Sequence, residues 1–359
     1  MFKKGLKDVV AVQTKIASVD GERGELRYRG VLIDECIRGK SFEEVAYFLW
    51  HGTFPKRKQL HVLHNELLHD RRLPSHTEQV VDALPADVSL MDAIRTAISS
   101  YSHSEFLNQS LMKQSIQLTA ALPVIIARHY RNIHHLPPVD HHENLSHTAN
   151  FLWMLMGEIP QDVHVKALQT YLILTMEHGM NASTFAGRVT ISTESDITAA
   201  ITSAIGTMKG PLHGGAPSGV IDLLEEIGTS KNIRPVIEKK LKSGERIMGF
   251  GHRIYKTEDP RSIILRNTCR SLTGKDEWLD LAVETESEII TLLEKYKPGR
   301  KLYTNVEYYA AAIMRAIHMP PELFTPTFSM ARIVGWTAHA MEQLNDNTIF
   351  RPQSMYIGN

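Results

Sequence analysis

Apolar residues recur every three or four positions along most of the chain, and one short stretch near the amino terminus breaks that rhythm. In residues 59–69, 91–99, 111–128, 150–156, 163–176, 199–208, 279–296, 305–317 and 323–344 this spacing places apolar side chains on one face of a helix. Residues 221–241 read as a more charged pair of short helices. Ser41 stands before the apolar face of Val45, Phe48 and Leu49, with Glu44 three residues on, which predicts a capping box at a helix start. Pro123 falls inside the 111–128 pattern, so that segment is expected to kink or to split in two. The exception is residues 10–29, which alternate, turn at Asp20-Gly21 and alternate again as a β-hairpin does. The expected fold class is mainly α, a two-domain helical fold with a short N-terminal β-hairpin.

Length and composition narrow this picture. A chain of 359 residues, 43% hydrophobic, can bury one large core or two smaller ones. Composition changes past Gly215, and Pro320-Pro321 offers a hinge. The expected division is therefore a larger domain of residues 1–214 with 321–359 and a smaller one of 215–320. Basic and acidic residues balance at 40 each, which gives no support to a nucleic-acid partner or an anionic membrane surface. Two cysteines, Cys36 and Cys269, are too few for a disulfide framework or a thiolate metal site and point to a reducing compartment. No apolar run approaches the roughly 18 to 20 residues a bilayer span needs. The amino terminus also lacks the apolar core of a secretory signal, so a cytoplasmic location is expected.

Candidate chemistry gathers at element boundaries. Residues 249–261 read Gly-Phe-Gly-His252-Arg-Ile-Tyr-Lys256-Thr-Glu-Asp-Pro-Arg261. Two glycines let the backbone bend and approach a ligand closely, although a glycine turn followed by a solvated basic strand would explain the stretch equally well. His178 follows Glu177 where an apolar helix ends, and could there simply face the helix C-terminus. His213 is held at a break by Gly and Pro on both sides. Five histidines between 134 and 147 match no zinc spacing, and Pro137-Pro138 makes that segment a surface loop. No His-Glu-x-x-His or paired-cysteine motif supports a metal either. Three histidines at boundaries, arginines in restricted settings and a carboxylate at a helix start suit a small polyanion. Arginine forks pair with carboxylates, and a neutral imidazole polarises a carbonyl or protonates an alkoxide. Carbon–carbon bond formation between an enolisable thioester and a keto acid uses all of these groups.

Gly-Pro-Leu-His213-Gly-Gly, the whole 249–261 stretch and Glu177-His178-Gly-Met-Asn-Ala-Ser-Thr resemble the citrate synthase family, in its order and at its spacings. Phe328-Ser-Met-Ala-Arg332, Phe350-Arg351-Pro and Tyr28-Arg29-Gly30 match as well, so the resemblance covers essentially the whole chain. It implies a citrate-synthase-like two-domain fold in the short bacterial form, and a homodimer. It further implies that His213 hydrogen-bonds the thioester oxygen of acetyl-CoA and that His252 polarises the oxaloacetate carbonyl. His178, Arg261 and Arg332 would hold oxaloacetate, with Arg351 reaching it from across the dimer. Ile247, Gly249 and Gly251 would meet the CoA adenine, Lys256 its phosphates and Asn305 the pantetheine arm. Acetyl-CoA and CoA are then substrate and product, with no tightly bound cofactor.

The family's base is an aspartate in Asn-Val-Asp, whereas this chain has Asn305-Val306-Glu307. Glu307 inherits the role one methylene further out. A carboxylate displaced by about 1 Å can cost on the order of a hundredfold in rate, so a functioning but slower synthase is expected. Two other readings are a 2-methylcitrate synthase using propionyl-CoA with the same residues, and a catalytically weak paralogue that binds oxaloacetate or CoA.

Overall fold

Each of the periodic stretches folds as a helix in the computed structural model, which describes residues 2–358 apart from 215, 253, 273–276, 300 and 301. Gly215, where the smaller domain was placed to begin, lies outside the described residues, as does Arg253 of the 249–261 stretch. The chain opens on a three-stranded antiparallel sheet of β1 (Ala17–Asp20), β2 (Glu25–Tyr28) and β3 (Val31–Leu32). The hairpin register pairs Ala17 with Tyr28 and Asp20 with Glu25. Asp20 Oδ1 closes the turn by accepting from the amides of Glu22 and Arg23 at 3.0 and 2.9 Å. The third strand was not expected. It has two residues, too few to show alternation, and forms because Arg29 and Gly30 adopt φ of 50° and 88° and reverse the chain.

Helices follow without further sheet among the described residues: α1 (Ile33–Ile37), α2 (Phe42–His51), α3 (Arg57–Asp70), α4 (Ser75–Asp82), α5 (Leu90–Ser99), α6 (Ser104–Leu107) and α7 (Leu111–Ile133). After them come α8 (His147–Met156), α9 (Asp162–Thr175), α10 (Ala182–Ile191), α11 (Ile197–Met208), α12 (Ala216–Ile227) and α13 (Ile233–Lys242). The last four are α14 (Pro260–Leu272), α15 (Glu277–Tyr296), α16 (Val306–Ala316) and α17 (Phe324–Asn345). Ser41 and Glu44 form the expected capping box at α2, an interaction typically worth about 1 kcal/mol. The 111–128 segment does not split: α7 runs through Pro123 as one helix. Packing on α5, α8 and α17 holds it on both sides of the missing N–H.

α17 is the axis of the core. It packs on α2, α5, α7, α9, α10 and α11, and its buried side chains line most of its circumference. At Gly335 it passes so close to the end of α9 that a β-carbon there would lie 2.4 Å from the Met176 carbonyl oxygen and 2.5 Å from Glu177 Oε2. Helices α12 to α16 pack largely on one another, and α14 and α16 also touch α9. The C-terminal end of α9 therefore lies where both groups of helices meet.

Candidate active site

His178 sits in the turn between α9 and α10. Gly179 adopts φ 63° there, and Asn181 Oδ1 caps α10 by accepting from the Thr184 amide at 3.1 Å. The hairpin pins this turn from below. The fully buried Tyr28 hydroxyl accepts from the Glu177 amide at 3.1 Å and lies 2.9 and 3.0 Å from the Ile173 and Glu177 carbonyl oxygens. His178 is itself buried, with Nε2 3.1 Å from the Tyr255 hydroxyl. Burial and the charges of Arg261 and Arg332 hold its pKa well below the ordinary value, so the ring is neutral.

Arg332 enters from α17. Its Nε donates to the Thr175 carbonyl at 2.8 Å, its guanidinium lies 4.8 Å from the Phe328 ring, and only 2% of the residue is exposed. It makes no ion pair among the described residues, although the Glu177 charge opposes the lowering of its pKa that burial causes. A buried cation without a contacting carboxylate is costly unless an anion is supplied.

Residues 249–261 bring the second group. Gly249 and Gly251 adopt φ of 80° and 84°, and Phe250 bridges Thr304. The Gly251 amide donates to the Tyr303 carbonyl at 2.8 Å and the Asn305 amide to the Gly249 carbonyl at 2.9 Å. A β-carbon at Gly249 would come within 2.8 Å of the Tyr308 ring and 2.9 Å of Val220. Asn305 Nδ2 also donates to the Gly251 carbonyl at 3.1 Å, so the start of α16 is fixed to the glycine turn.

His252 Nδ1 accepts from the Ile254 and Tyr255 amides at 3.0 and 3.1 Å. Burial and Arg261 push its pKa down to about 4. A neutral ring whose Nδ1 accepts must carry its proton on Nε2, which leaves that N–H as a donor. The ring stands edge-on to His178 at 5.6 Å; Arg261 Nη2, itself only a donor, lies 3.4 Å from Nε2, too far to outweigh the two amides on Nδ1 in setting the tautomer. Pro260, which closes the preceding loop, also opens α14, a position that suits its missing N–H. Asp259 holds the buried Arg261 through bonds of 3.0 and 2.7 Å and raises its pKa despite burial. The hairpin turn supports this loop as well: the Lys256 amide donates to the Gly21 carbonyl at 2.9 Å, and the exposed Lys256 ammonium pairs with Glu22.

His213 lies in the turn after α11, where its amide donates to the Gly210 carbonyl at 2.9 Å. Its Nε2 accepts from the Ser183 amide at 3.3 Å and lies 2.8 Å from Ser183 Oγ, which in turn accepts from Trp336 Nε1 at 3.1 Å. Burial and Arg332 lower its pKa to about 4, so this neutral ring carries its proton on Nδ1. Glu307, the second residue of α16, has its amide capped by Asn305 Oδ1 at 3.1 Å. Burial raises its pKa, against the pull of Arg261 and Arg246, which makes it a stronger base than an exposed glutamate. Ile247 is buried just before the glycine turn, and Arg351 is exposed beyond α17.

Residues 178, 213, 252, 261, 307 and 332 are thus drawn together or electrostatically linked, with Arg332 acting on both His178 and His213. The five clustered histidines are dispersed: His134 bonds Glu322 at 2.7 Å, and His147 is buried against Phe42 with ring centroids 4.5 Å apart. Sequence reasoning gave no role to Ser183, Tyr255, Asp259 or Trp336. Ser183, Tyr255 and Asp259 lay inside the quoted motifs, but the partner that defines each is visible only in the fold.

Neutral donors, buried arginines and one raised carboxylate define an acyltransferase that joins a thioester-activated carbon to a keto-acid carbonyl. The family profile "Citrate synthase, C-terminal domain" matches residues 5–353. A citrate synthase of Synechocystis is 38% identical, covering 100% of this chain and 91% of that protein. A 2-methylcitrate synthase of Shewanella oneidensis is 36% identical, covering 99% of this chain and 94% of that one. The crystal structure of citrate synthase from Thermotoga maritima superposes with a TM-score of 0.90 at 35% identity, covering 100% of this chain and 96% of that one. The citrate synthase of Thermoplasma acidophilum, solved as a ternary complex with carboxymethyl coenzyme A and oxaloacetate, gives 0.92 at 27% identity, covering 100% and 97%. The chain belongs to the citrate synthase family.

Proposed function

We propose that the chain condenses acetyl-CoA with oxaloacetate, and that the assembled residues divide the work as follows. Arg332, Arg261 and His178 bind the two carboxylates of oxaloacetate, joined by Arg351 of the partner subunit in a homodimer. The N–H on His252 Nε2 donates to the keto oxygen and so draws electron density from the carbon to be attacked. Glu307 removes a proton from the acetyl methyl group, while the N–H on His213 Nδ1 stabilises the developing enolate at the thioester oxygen. The enolate carbon bonds to the keto carbon, and His252 gives its proton to the alkoxide. Water then cleaves the citryl thioester, releasing citrate and CoA.

CoA lies along Ile247, Gly249 and Gly251 at its adenine, Lys256 at its phosphates and Asn305 at the pantetheine arm. In this reading Lys256 leaves Glu22 when CoA binds. Residues 215–320 form the smaller domain, which closes on 1–214 and 321–359 to keep water from the thioester until the bond is made.

The observation that carries the reading is Arg332, a fully buried guanidinium with no ion pair among the described residues, set beside two neutral histidines. Comparing acetyl-CoA with propionyl-CoA in a thiol-release assay with oxaloacetate tests it. Higher kcat/KM with acetyl-CoA is expected. Because 2-methylcitrate synthases are similar to nearly the same degree, preference for propionyl-CoA would instead establish that second reading. Oxaloacetate binding without CoA release from either thioester would leave only a binding paralogue.

A further inference from the structure

We propose that His339 is a positioning residue for the oxaloacetate site, holding the Glu177 carboxylate away from Arg332 so that the guanidinium stays open to substrate. This rests on the reading of Arg332 and His178 as oxaloacetate ligands. His339 lies seven residues after Arg332 on α17, hence on the same face, and only 1% of it is exposed. Its Nδ1 lies 3.0 Å from Arg188 Nε. A guanidinium N–H can only donate, so Nδ1 is the acceptor and the neutral ring carries its proton on Nε2. That nitrogen is 3.2 Å from Glu177 Oε1.

Glu177 is fully buried beside His178, and its Oε2 rests against the α17 backbone at Gly335, where a β-carbon would approach to 2.5 Å. Neither oxygen of this carboxylate has a hydrogen-bond partner of normal geometry among the described residues; His339 Nε2 at 3.2 Å is its one ion-pair contact there, and Arg332 supplies the nearby positive charge. Arg188 is in turn fixed by Gln343 Oε1 at 2.8 Å and by Glu342. Gln343 Nε2 donates to Asn347 Oδ1 at 3.2 Å, and Asn347 Nδ2 to the Ser192 carbonyl at 3.0 Å. The Phe350 amide donates to Ser192 Oγ at 3.2 Å, immediately before Arg351. The line of contacts thus ties the Glu177 carboxylate to the segment that carries Arg351.

The energetic logic is a competition. In a dry interior a carboxylate and a guanidinium attract strongly, and an unheld Glu177 would swing onto Arg332 and take the place of a substrate carboxylate. At its present distance it offsets part of the Arg332 charge without occupying the fork. His339 decides between these two arrangements and touches no substrate itself.

Two amide replacements separate the halves of this role. In His339→Asn the amide oxygen can stand in for Nδ1 towards Arg188, but the side chain is too short to reach Glu177. In His339→Gln the amide N–H can reach Glu177. Oxaloacetate binding is measured by titration calorimetry without acetyl-CoA, with thermal melts to establish folding. His339→Asn is expected to weaken binding about tenfold or more while His339→Gln stays within about threefold of the wild type. Adding Glu177→Gln to His339→Asn removes the competitor and is expected to recover most of the lost affinity. In kinetics, KM for oxaloacetate rises in His339→Asn while KM for acetyl-CoA does not. Equal affinities for the Asn and Gln variants, or no recovery in the double variant, would overturn the positioning role. A wild-type protein that binds no oxaloacetate would instead overturn the reading of the site on which that role rests.

Discussion

The two halves of the site are held by different means. His178, His213 and Arg332 hang from the ends of α9 and α11 and from α17; Thr175, Ser183 and Trp336 of the helical core fix Arg332 and His213, and Tyr255 reaches His178 from the 249–261 stretch. The 249–261 stretch and the start of α16 are fixed backbone to backbone, through Gly249, Gly251, Tyr303 and Asn305, and rest on the hairpin turn through Gly21. The first half places charge where water is excluded, so its strength comes from burial. The second places a donor and a base on short segments, so its strength comes from position. Loss of the Arg332 charge should therefore fall mainly on oxaloacetate binding, and displacement of the segment that carries His252 mainly on turnover.

Arg332→Leu attacks the comparison hardest. Removing the buried cation should weaken oxaloacetate binding by at least about a hundredfold, measured by calorimetry. Loss of kcat with binding intact would reverse the assignment of the two halves. Gly21→Val is the counterpart. A β-carbon at Gly21 would lie 2.2 Å from the Ile254 carbonyl oxygen, so the loop bearing His252 has to move. Steady-state kinetics should show kcat lowered about ten- to a hundredfold, with a much smaller change in oxaloacetate affinity. Equal losses in both would show that the halves are not independent.

Glu307→Asp shortens the base to the length the family uses, and kcat should rise about tenfold if the extra methylene is a handicap. An unchanged or lower rate sinks that idea.

The buried histidines add a pH signature. His213 and His252 have folded pKa values of about 4, below the ordinary 6.5, so between those limits the unfolded chain binds more protons than the folded one. Their contribution to stability is complete above pH 6.5 and is lost as pH falls towards 4. Thermal melts at pH 7 and pH 5 should differ by at least a few degrees, the acid sample being less stable. Equal melting temperatures would mean that the two rings are not held neutral. The smallest effect belongs to Glu22→Gln. It frees an exposed lysine, and KM for acetyl-CoA should fall about twofold at low salt and less at high salt. A rise in KM would remove Lys256 from the CoA site.

Much of this was legible in residue order. The apolar periodicity marks the long helices, and the Ser41–Glu44 capping box appears as read. α14 escaped notice because its buried face includes Arg261 and Ser262, polar residues that break the apolar pattern. α10 was hidden inside the His178 motif and was not read as a helix. The site histidines and arginines stood out because glycine, proline and helix ends surround them. His339 did not, since it lies in mid-helix among apolar neighbours and looks like core until Arg188 and Glu177 are placed beside it.

The sequence by itself determined the helical periods, the glycine turns and the kinds of group available, because these depend on neighbours a few positions away. The tertiary structure alone decided which ring nitrogen carries a proton at His213, His252 and His339, and that Arg332 is buried without an ion pair among the described residues. Those properties are set by desolvation and by charges brought close by folding, from partners as far along the chain as Arg188 is from His339.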